Sequence, residues 1–386
     1  MNYNIELIGN SLTDYIKSKI EQCKEDPFYV INLSQITSKY IDWITNLARV
    51  KPFYAIKANP DPVIIGELNK LGANFDCASE NEIQQLLNIN ISPERIIYSN
   101  PIKSITHLQY AKKVGVDLMT FDNDEELLKI KTHYSEARLV LRIITDDSHS
   151  VCKFSCKYGA TYNDSIKLFK LAKTLDLNII GISFHVGSGC NSINSYVSAI
   201  KDAFKLFNEA STYGFNLTLL DLGGGWPGTD NTIKFKDIAM TITPLLDELF
   251  ANNVTIIAEP GRYFVAESHT LVVSIIGKRK NNANILYYVN EGVYQSFNCV
   301  IFDHYQPKLR LLTEPINNIN SYKSTIYGQT CDSMDCIFKD IDLSELYIGD
   351  KLIFNNMGAY TIAAASSFNG FNSNPILFYV KFELLH

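Results

Sequence analysis

Eight short apolar runs, most of them followed by an amphipathic stretch, constrain this chain more than any other feature. FYAIK (53–57), NFDCA (74–78), RIIYS (95–99), DLMTF (117–121) and RLVLRII (138–144) come first. IIGISFHV (179–186), LTLLDLG (217–223) and VTIIAE (254–259) complete the set. Between them lie DPVIIGELNKLG (61–72), ENEIQQLLNIN (80–90), DEELLKIKTHYS (124–135), NDSIKLFKLAKTLD (163–176) and NSYVSAIKDAFKLFNEASTYG (194–214). Their apolar residues recur at spacings of three and four, the mark of an amphipathic helix. Buried strands alternating with covering helices imply a parallel sheet, and eight units suggest closure into a (β/α)8, TIM-type barrel of the α/β class. The first five runs begin about 21 residues apart, which suits compact βα units better than a Rossmann fold with long crossovers.

The rhythm changes after about residue 268. TLVVSIIGKRK, NILYYVNEGVY, STIYGQ, DKLIFNNMGAY and NPILFYVKFELL read as strands joined by turns, with little helix. The expected division is a barrel over 32–267 and a β-rich domain built from 1–31 plus 268–386, with FYVINLSQITSKYIDWI (28–44) as the entry into the barrel. A chain of 386 residues, 46% apolar and 20% charged, has core enough to need neither disulfides nor a structural metal. Its 35 basic and 41 acidic residues give a charge of −6, which disfavours a partner recognised through its phosphate backbone, so no nucleic acid is expected. Eight cysteines form no CxxC pair, the start is polar rather than a secretory signal, and no apolar run is long enough to span a bilayer. These features fit a reduced, cytoplasmic protein that does not enter a membrane.

Barrel enzymes carry their chemistry at the C-terminal ends of the strands. Here those positions hold Lys57, Asp76, Arg142, His185, the triple glycine 223–225 and Glu259. Any one of these has a bland explanation. A single lysine is usually a snorkelling surface residue, a glycine triplet a tight turn, and Glu259 with Arg262 in EPGRYF a surface ion pair worth little. Together on one rim they would cost several kcal/mol each if left unpartnered. A desolvated lysine can form a Schiff base, and glycines let backbone N–H groups cradle a phosphate. DLGGGWPG is not GxGxxG, so a dinucleotide site is poorly supported. His185 in HVGSGC has a ring able to stack on an aromatic cofactor. A lysine, a glutamate, an arginine and a phosphate loop suggest pyridoxal 5'-phosphate.

These segments also carry a resemblance. YAIKAN, FDCASENE, HVGSGC, LDLGGGWPG, EPGRYFVA, EGVYQSFNCVIFDH, GQTCDSMD and NMGAYTIAAASSFNGF resemble eukaryotic-type ornithine decarboxylases, in the family's order, from about residue 28 to about 380. The wider group is the alanine-racemase-like, fold-type III decarboxylases, built from a barrel and a β-domain and acting on lysine, diaminopimelate or arginine as well. The resemblance implies that Lys57 bonds to the cofactor aldehyde. Glu259 would pair with the ring nitrogen, and His185 would stack on the ring. Ser188, Gly224, Gly225, Arg262 and Tyr360 would hold the phosphate, with Asp76, Glu82 and Arg142 as an inner polar shell. Cys331 would return a proton to the carbon that carbon dioxide leaves; outside this context a buried structural thiol is the commoner fate of cysteine.

Asp303 and Asp332 match the pair that grips the distal ammonium of ornithine through charge-assisted hydrogen bonds. They would repel the distal carboxylate of diaminopimelate. Cys331, Asp332 and Phe368 in this family reach into the neighbouring subunit, so a homodimer with shared active sites is implied. The expected activity is decarboxylation of L-ornithine to putrescine in polyamine biosynthesis. L-lysine, longer by one methylene, is the alternative substrate, and an inactive antizyme-inhibitor-like binding protein is the alternative of a different class. The chain departs from the family at Trp226, Gln295 and Gln329, and by the resemblance it is expected to lack the long tail of animal members. Segment 105–130, antizyme-facing in those members, is ordinary amphipathic helix and strand here. No metal is expected.

Overall fold

The computed structural model describes residues 4–9, 11–230, 232–281, 284–312 and 321–382. Contacts divide the chain into two compact units, one running from Ser38 to Phe264 and one formed by the residues before and after it. The chain opens with β1 (Ile5–Ile8), α1 (Leu12–Cys23), β2 (Phe28–Asn32) and α2 (Leu33–Asn46).

The central unit is a closed barrel of eight parallel strands. In chain order these are β3 (Val50–Ala55), β4 (Asn74–Cys77), β5 (Ile96–Tyr98), β6 (Leu118–Phe121), β7 (Arg138–Arg142), β8 (Asn178–Ser183), β9 (Leu219–Asp221) and β10 (Thr255–Ala258). Each matches one of the eight apolar runs, and β10 closes on β3. The intervening helices are α3 (Pro62–Leu71), α4 (Glu80–Leu87), α5 (Ile105–Val114), α6 (Asp124–His133), α7 (Tyr162–Thr174), α8 (Ile193–Thr212) and α9 (Phe235–Leu249). Their starts are written into the sequence. Asp61, Ser79, Ser104, Asn123 and Thr161 each accept a backbone N–H of the first turn, satisfying donors that the helix itself cannot. Gly72 and Gly115 end α3 and α5 in the left-handed region.

Inside the barrel, Phe53, Ile97, Leu118, Val140, Leu219 and Ile257 form an apolar layer, with Ile180 packed against it. Side chains on a strand repeat their face every second residue. The residues two further on therefore share that interior face: Ser99, Thr120, Arg142, Asp221 and Glu259. An apolar floor beneath a polar layer is what the strand register builds, and it places the polar groups toward the C-terminal end.

The other unit is a mixed sheet. After β10 come β11 (His269–Asn281), β12 (Asn284–Val289), β13 (Lys308–Leu311), β14 (Ser321–Tyr327), β15 (Cys336–Ser344), β16 (Lys351–Asn355) and β17 (Ile376–Phe382). The order is β1-β17-β2-β11-β12-β14-β15, with β16 pairing both β11 and β13. Phe28–Asn32 thus belongs to this sheet, paired with β11 and β17, and is not a strand of the barrel. Ile8, Ile16, Cys23, Phe28, Val30, Val272, Ile353 and Val380 form its core. Among the described residues no helix is long and apolar enough to cross a membrane.

Candidate active site

Lys57 leaves β3 in a single 3-10 turn, Ile56–Ala58. Its Nζ donates to Asp76 Oδ2 on β4. Asp76 is fully enclosed, whereas the Lys57 side chain is 41% exposed, so the amine stands at the barrel mouth on a buried counter-charge. The other oxygen of Asp76 accepts the Ser99 hydroxyl. Glu82 lies in the first turn of α4, where the Ala78 N–H donates to its Oε2 at 2.5 Å. Burial pushes its carboxyl above the usual range, and the Ala78 N–H and the Lys57 charge oppose that rise.

Arg142 closes β7, and its Cζ lies 5.0 Å from the centre of the Tyr158 ring. Burial lowers its pKa, with Glu259 the largest opposing influence. His185 follows β8. Burial first, then the Arg142 and Lys57 cations, hold its imidazole well below the ordinary range. Its Nδ1 accepts the Gly187 N–H at 3.0 Å, so the neutral ring carries its proton on Nε2. The Phe154 ring meets it edge-on at 4.9 Å between centres.

Asp221 and Glu259 end β9 and the run through β10, and they act as a pair. Burial raises Asp221 to about 7, with the nearby Asp76 charge adding to it. Burial also pushes Glu259 well above the carboxylate range, with Asp221 and Asp76 reinforcing the rise. Glu259 Oε1 and Asp221 Oδ2 are sealed from solvent, with no hydrogen-bond partner among the described residues.

Between these acids runs the glycine loop. Gly223 and Gly225 have φ of +59° and +100°, a region glycine enters without penalty. Gly223 donates to Asp221 Oδ1 at 2.8 Å, and its carbonyl accepts the Glu259 N–H and the Trp226 indole N–H, both at 2.8 Å. A Cβ on Gly224 would lie 2.6 Å from His185 Nε2, and one on Gly225 2.6 Å from Val186 Cγ2. Among the described residues, no acceptor meets the N–H of Gly224 or Gly225. Beside HVGSGC, Arg262 Nη2 donates to Ser188 Oγ at 2.9 Å.

This residue set fits pyridoxal phosphate. It offers an exposed amine, an enclosed carboxylate oxygen lacking the partner that a ring N–H would supply, and a loop with unspent N–H donors. The structure therefore brings Lys57, Asp76, Glu82, Arg142, His185, Ser188, Gly224, Gly225, Glu259 and Arg262 to one end of the barrel. Asp221 and Ser99 belong with them, although the sequence reading singled out neither.

The remaining predicted residues lie in the other unit. Cys331 is exposed, and its N–H donates to Asn369 Oδ1 at 2.9 Å. Asp332 Oδ2 accepts the Tyr294 hydroxyl, and Oδ1 accepts the Met334 N–H at 3.0 Å. These donors, the Met334 N–H first, hold the Asp332 carboxyl below its usual range. Phe368 stacks on Tyr294 at 4.2 Å between ring centres. Tyr294 is thus the hub joining Asp332 and Phe368, a role its place in EGVYQSF did not announce. Asp303 follows the short helix Asn298–Phe302, and its N–H donates to the Cys299 carbonyl at 3.1 Å. Tyr360 takes a left-handed φ of +55°. Gln295 is fully buried, and among the described residues neither amide atom finds a partner. Gln329 lines a cavity of about 430 Å³ with Glu25, Asp26, Asn290 and Phe371.

Residues 33–266 match the model of the pyridoxal-dependent decarboxylase pyridoxal-binding domain. The chain is 45% identical to antizyme inhibitor 2 of Xenopus laevis, over 96% of this chain and 84% of that one. It is 44% identical to ornithine decarboxylase of Rattus norvegicus, over 96% and 85%. The solved structure of Paramecium bursaria Chlorella virus arginine decarboxylase bound to agmatine superposes with a TM-score of 0.92 at 36% identity. That superposition covers 95% of this chain and all of the viral one. The fold, the barrel-mouth chemistry and these likenesses agree: the chain belongs to the family of pyridoxal-dependent decarboxylases.

Proposed function

We propose that this chain decarboxylates L-ornithine to putrescine and carbon dioxide. The observation that carries the reading is the barrel mouth, where an exposed Lys57 rests on buried Asp76 and an enclosed Glu259 oxygen lacks a partner. When bound, pyridoxal phosphate supplies an aldehyde that holds the substrate amine and a protonated ring that takes up the electron pair left by carbon dioxide. Lys57 tethers the cofactor, and Asp76 holds the lysine nitrogen in place. Glu259, with Asp221 behind it, would meet the ring nitrogen and hold its proton. His185, neutral and fixed by Gly187, would stand against the ring. Ser188, Gly224, Gly225 and Arg262 would hold the phosphate, joined by Tyr360 on the family resemblance, while Glu82 and Arg142 would complete the polar lining.

Cys331 delivers the final proton to the substrate carbon. Asp332 and Asp303 bind the distal ammonium, with Phe368 stacked on Tyr294 beside Asp332. By the family resemblance, Cys331, Asp332 and Phe368 serve the site of a second copy, making the working form a homodimer. Lysine differs from ornithine by a single methylene, a discrimination of roughly 1–3 kcal/mol in a pocket, so acceptance of lysine as a lesser substrate is consistent with this site.

The likeness to the frog antizyme inhibitor favours a second reading, a binding protein without catalysis. The presence of Lys57, His185, Glu259, Arg262, Cys331 and Asp332 together argues for the enzyme. Purified protein should show a cofactor absorption band that borohydride abolishes and should release carbon dioxide from ornithine, and Lys57→Ala should do neither. Wild-type protein with no such band and no product would support the binding-protein reading.

A further inference from the structure

The Asp76 carboxylate is fully buried and has two hydrogen-bond partners, Lys57 on Oδ2 and the Ser99 hydroxyl on Oδ1. Ser99 directly follows β5, and its N–H donates to the Cys77 carbonyl at 2.9 Å. This ties its Cα to the strand that carries Asp76. Ile97 faces the barrel interior, so Ser99, two residues on, faces it too. Ser99 is itself only 9% exposed, and water is a poor substitute for its hydroxyl. With Oδ1 occupied from one side, the carboxylate plane is fixed and Oδ2 is turned toward Lys57 Nζ.

We propose that Ser99 is a positioning residue that orients Asp76 and, through it, holds the proton on the Lys57 nitrogen when Lys57 carries the cofactor. The inference rests on Lys57 being the cofactor lysine. Losing the hydroxyl lets the carboxylate turn away from Lys57, weakening the charge-assisted contact that favours the protonated nitrogen.

The test is a pH titration of the bound cofactor's visible absorption in wild type, Ser99→Ala, Ser99→Val and Ser99→Thr, with cofactor content and Tm measured alongside. Ser99→Ala should keep its cofactor and lower the titration midpoint by about one pH unit, as expected for loss of one buried hydrogen bond. Its kcat should fall about tenfold, with KM for ornithine little changed. Ser99→Thr, which keeps a hydroxyl, should restore the midpoint, and Ser99→Val, which matches its shape, should not. If Ser99→Ala does not fold, the Thr and Val pair makes the same comparison. A midpoint that is unchanged or raised in the Ala and Val variants overturns the proposal. If the wild-type band does not depend on Lys57, the assignment of that lysine fails first and takes this inference with it.

Discussion

Gly224 makes no demand on backbone conformation, so its replacement by alanine tests the packing of the site almost alone. The added Cβ would lie 2.6 Å from His185 Nε2, whereas ordinary contact begins near 3.4 Å. The imidazole must therefore retreat by about 0.8 Å. It cannot do so cheaply, because Nδ1 is held by the Gly187 N–H and Phe154 stands edge-on to the ring. Breaking that hydrogen bond costs about 1 kcal/mol, a small fraction of the stability of a domain. A displacement of about 1 Å in a group that positions the reacting molecule costs on the order of 100-fold in rate. Gly224→Ala should thus melt within a few degrees of wild type while its cofactor retention and kcat fall steeply. Gly223→Ala is the contrasting control, since its Cβ would meet the Phe184 carbonyl oxygen at 2.0 Å and its φ is +59°. That variant should lose stability outright. Wild-type turnover and cofactor content in Gly224→Ala would refute the placement of His185 against the cofactor.

Three further outcomes follow from the same geometry. Tyr294→Phe removes the hydroxyl that occupies Asp332 Oδ2 and the partner on which that carboxylate is oriented, so KM for ornithine should rise several-fold while cofactor absorption stays unchanged. Cys331→Ala should slow turnover and misdirect protonation, giving aldehyde by-product alongside putrescine; clean product at wild-type rate would remove Cys331 from its assigned role. His269 is fully buried, and burial holds its pKa to about 3, against about 6.5 in the unfolded chain. The unfolded state therefore takes up the proton first. Stability present above about pH 6.5 is lost as pH falls toward 3, at about 1.4 kcal/mol per pH unit for this group, and His269→Asn should show a shallower decline of Tm between about pH 6 and 4.

The barrel was legible because its strands are mostly buried and each carries a short apolar core, while its caps are spelled by Asp61, Ser79, Asn123 and Thr161. The site residues that immediately follow those runs were legible for the same reason. Asp221 and Ser99 were not, because each sits inside or against a strand and its partner lies 38 or 23 residues away in sequence. The two-residue strand repeat was the available signal, since both share the interior face with Leu219 and Ile97. Helix α9 escaped the pattern because Pro244 and two threonines interrupt its propensity. Strand β15, CIFKDIDLS, is an edge strand with most of its residues only partly buried or exposed, and its charges mask the alternation. Tyr294 acts through a stacked Phe368 that is 74 residues distant, a contact that only the folded sheet unit reveals.

The most direct test of the proposed activity is carbon dioxide release from ornithine, lysine, arginine and diaminopimelate by the cofactor-loaded protein, compared as kcat/KM. Ornithine should lead, lysine should follow by the roughly 10–200-fold that one methylene allows, and diaminopimelate should be rejected by the two distal acids. A higher kcat/KM for lysine or arginine than for ornithine would contradict the account.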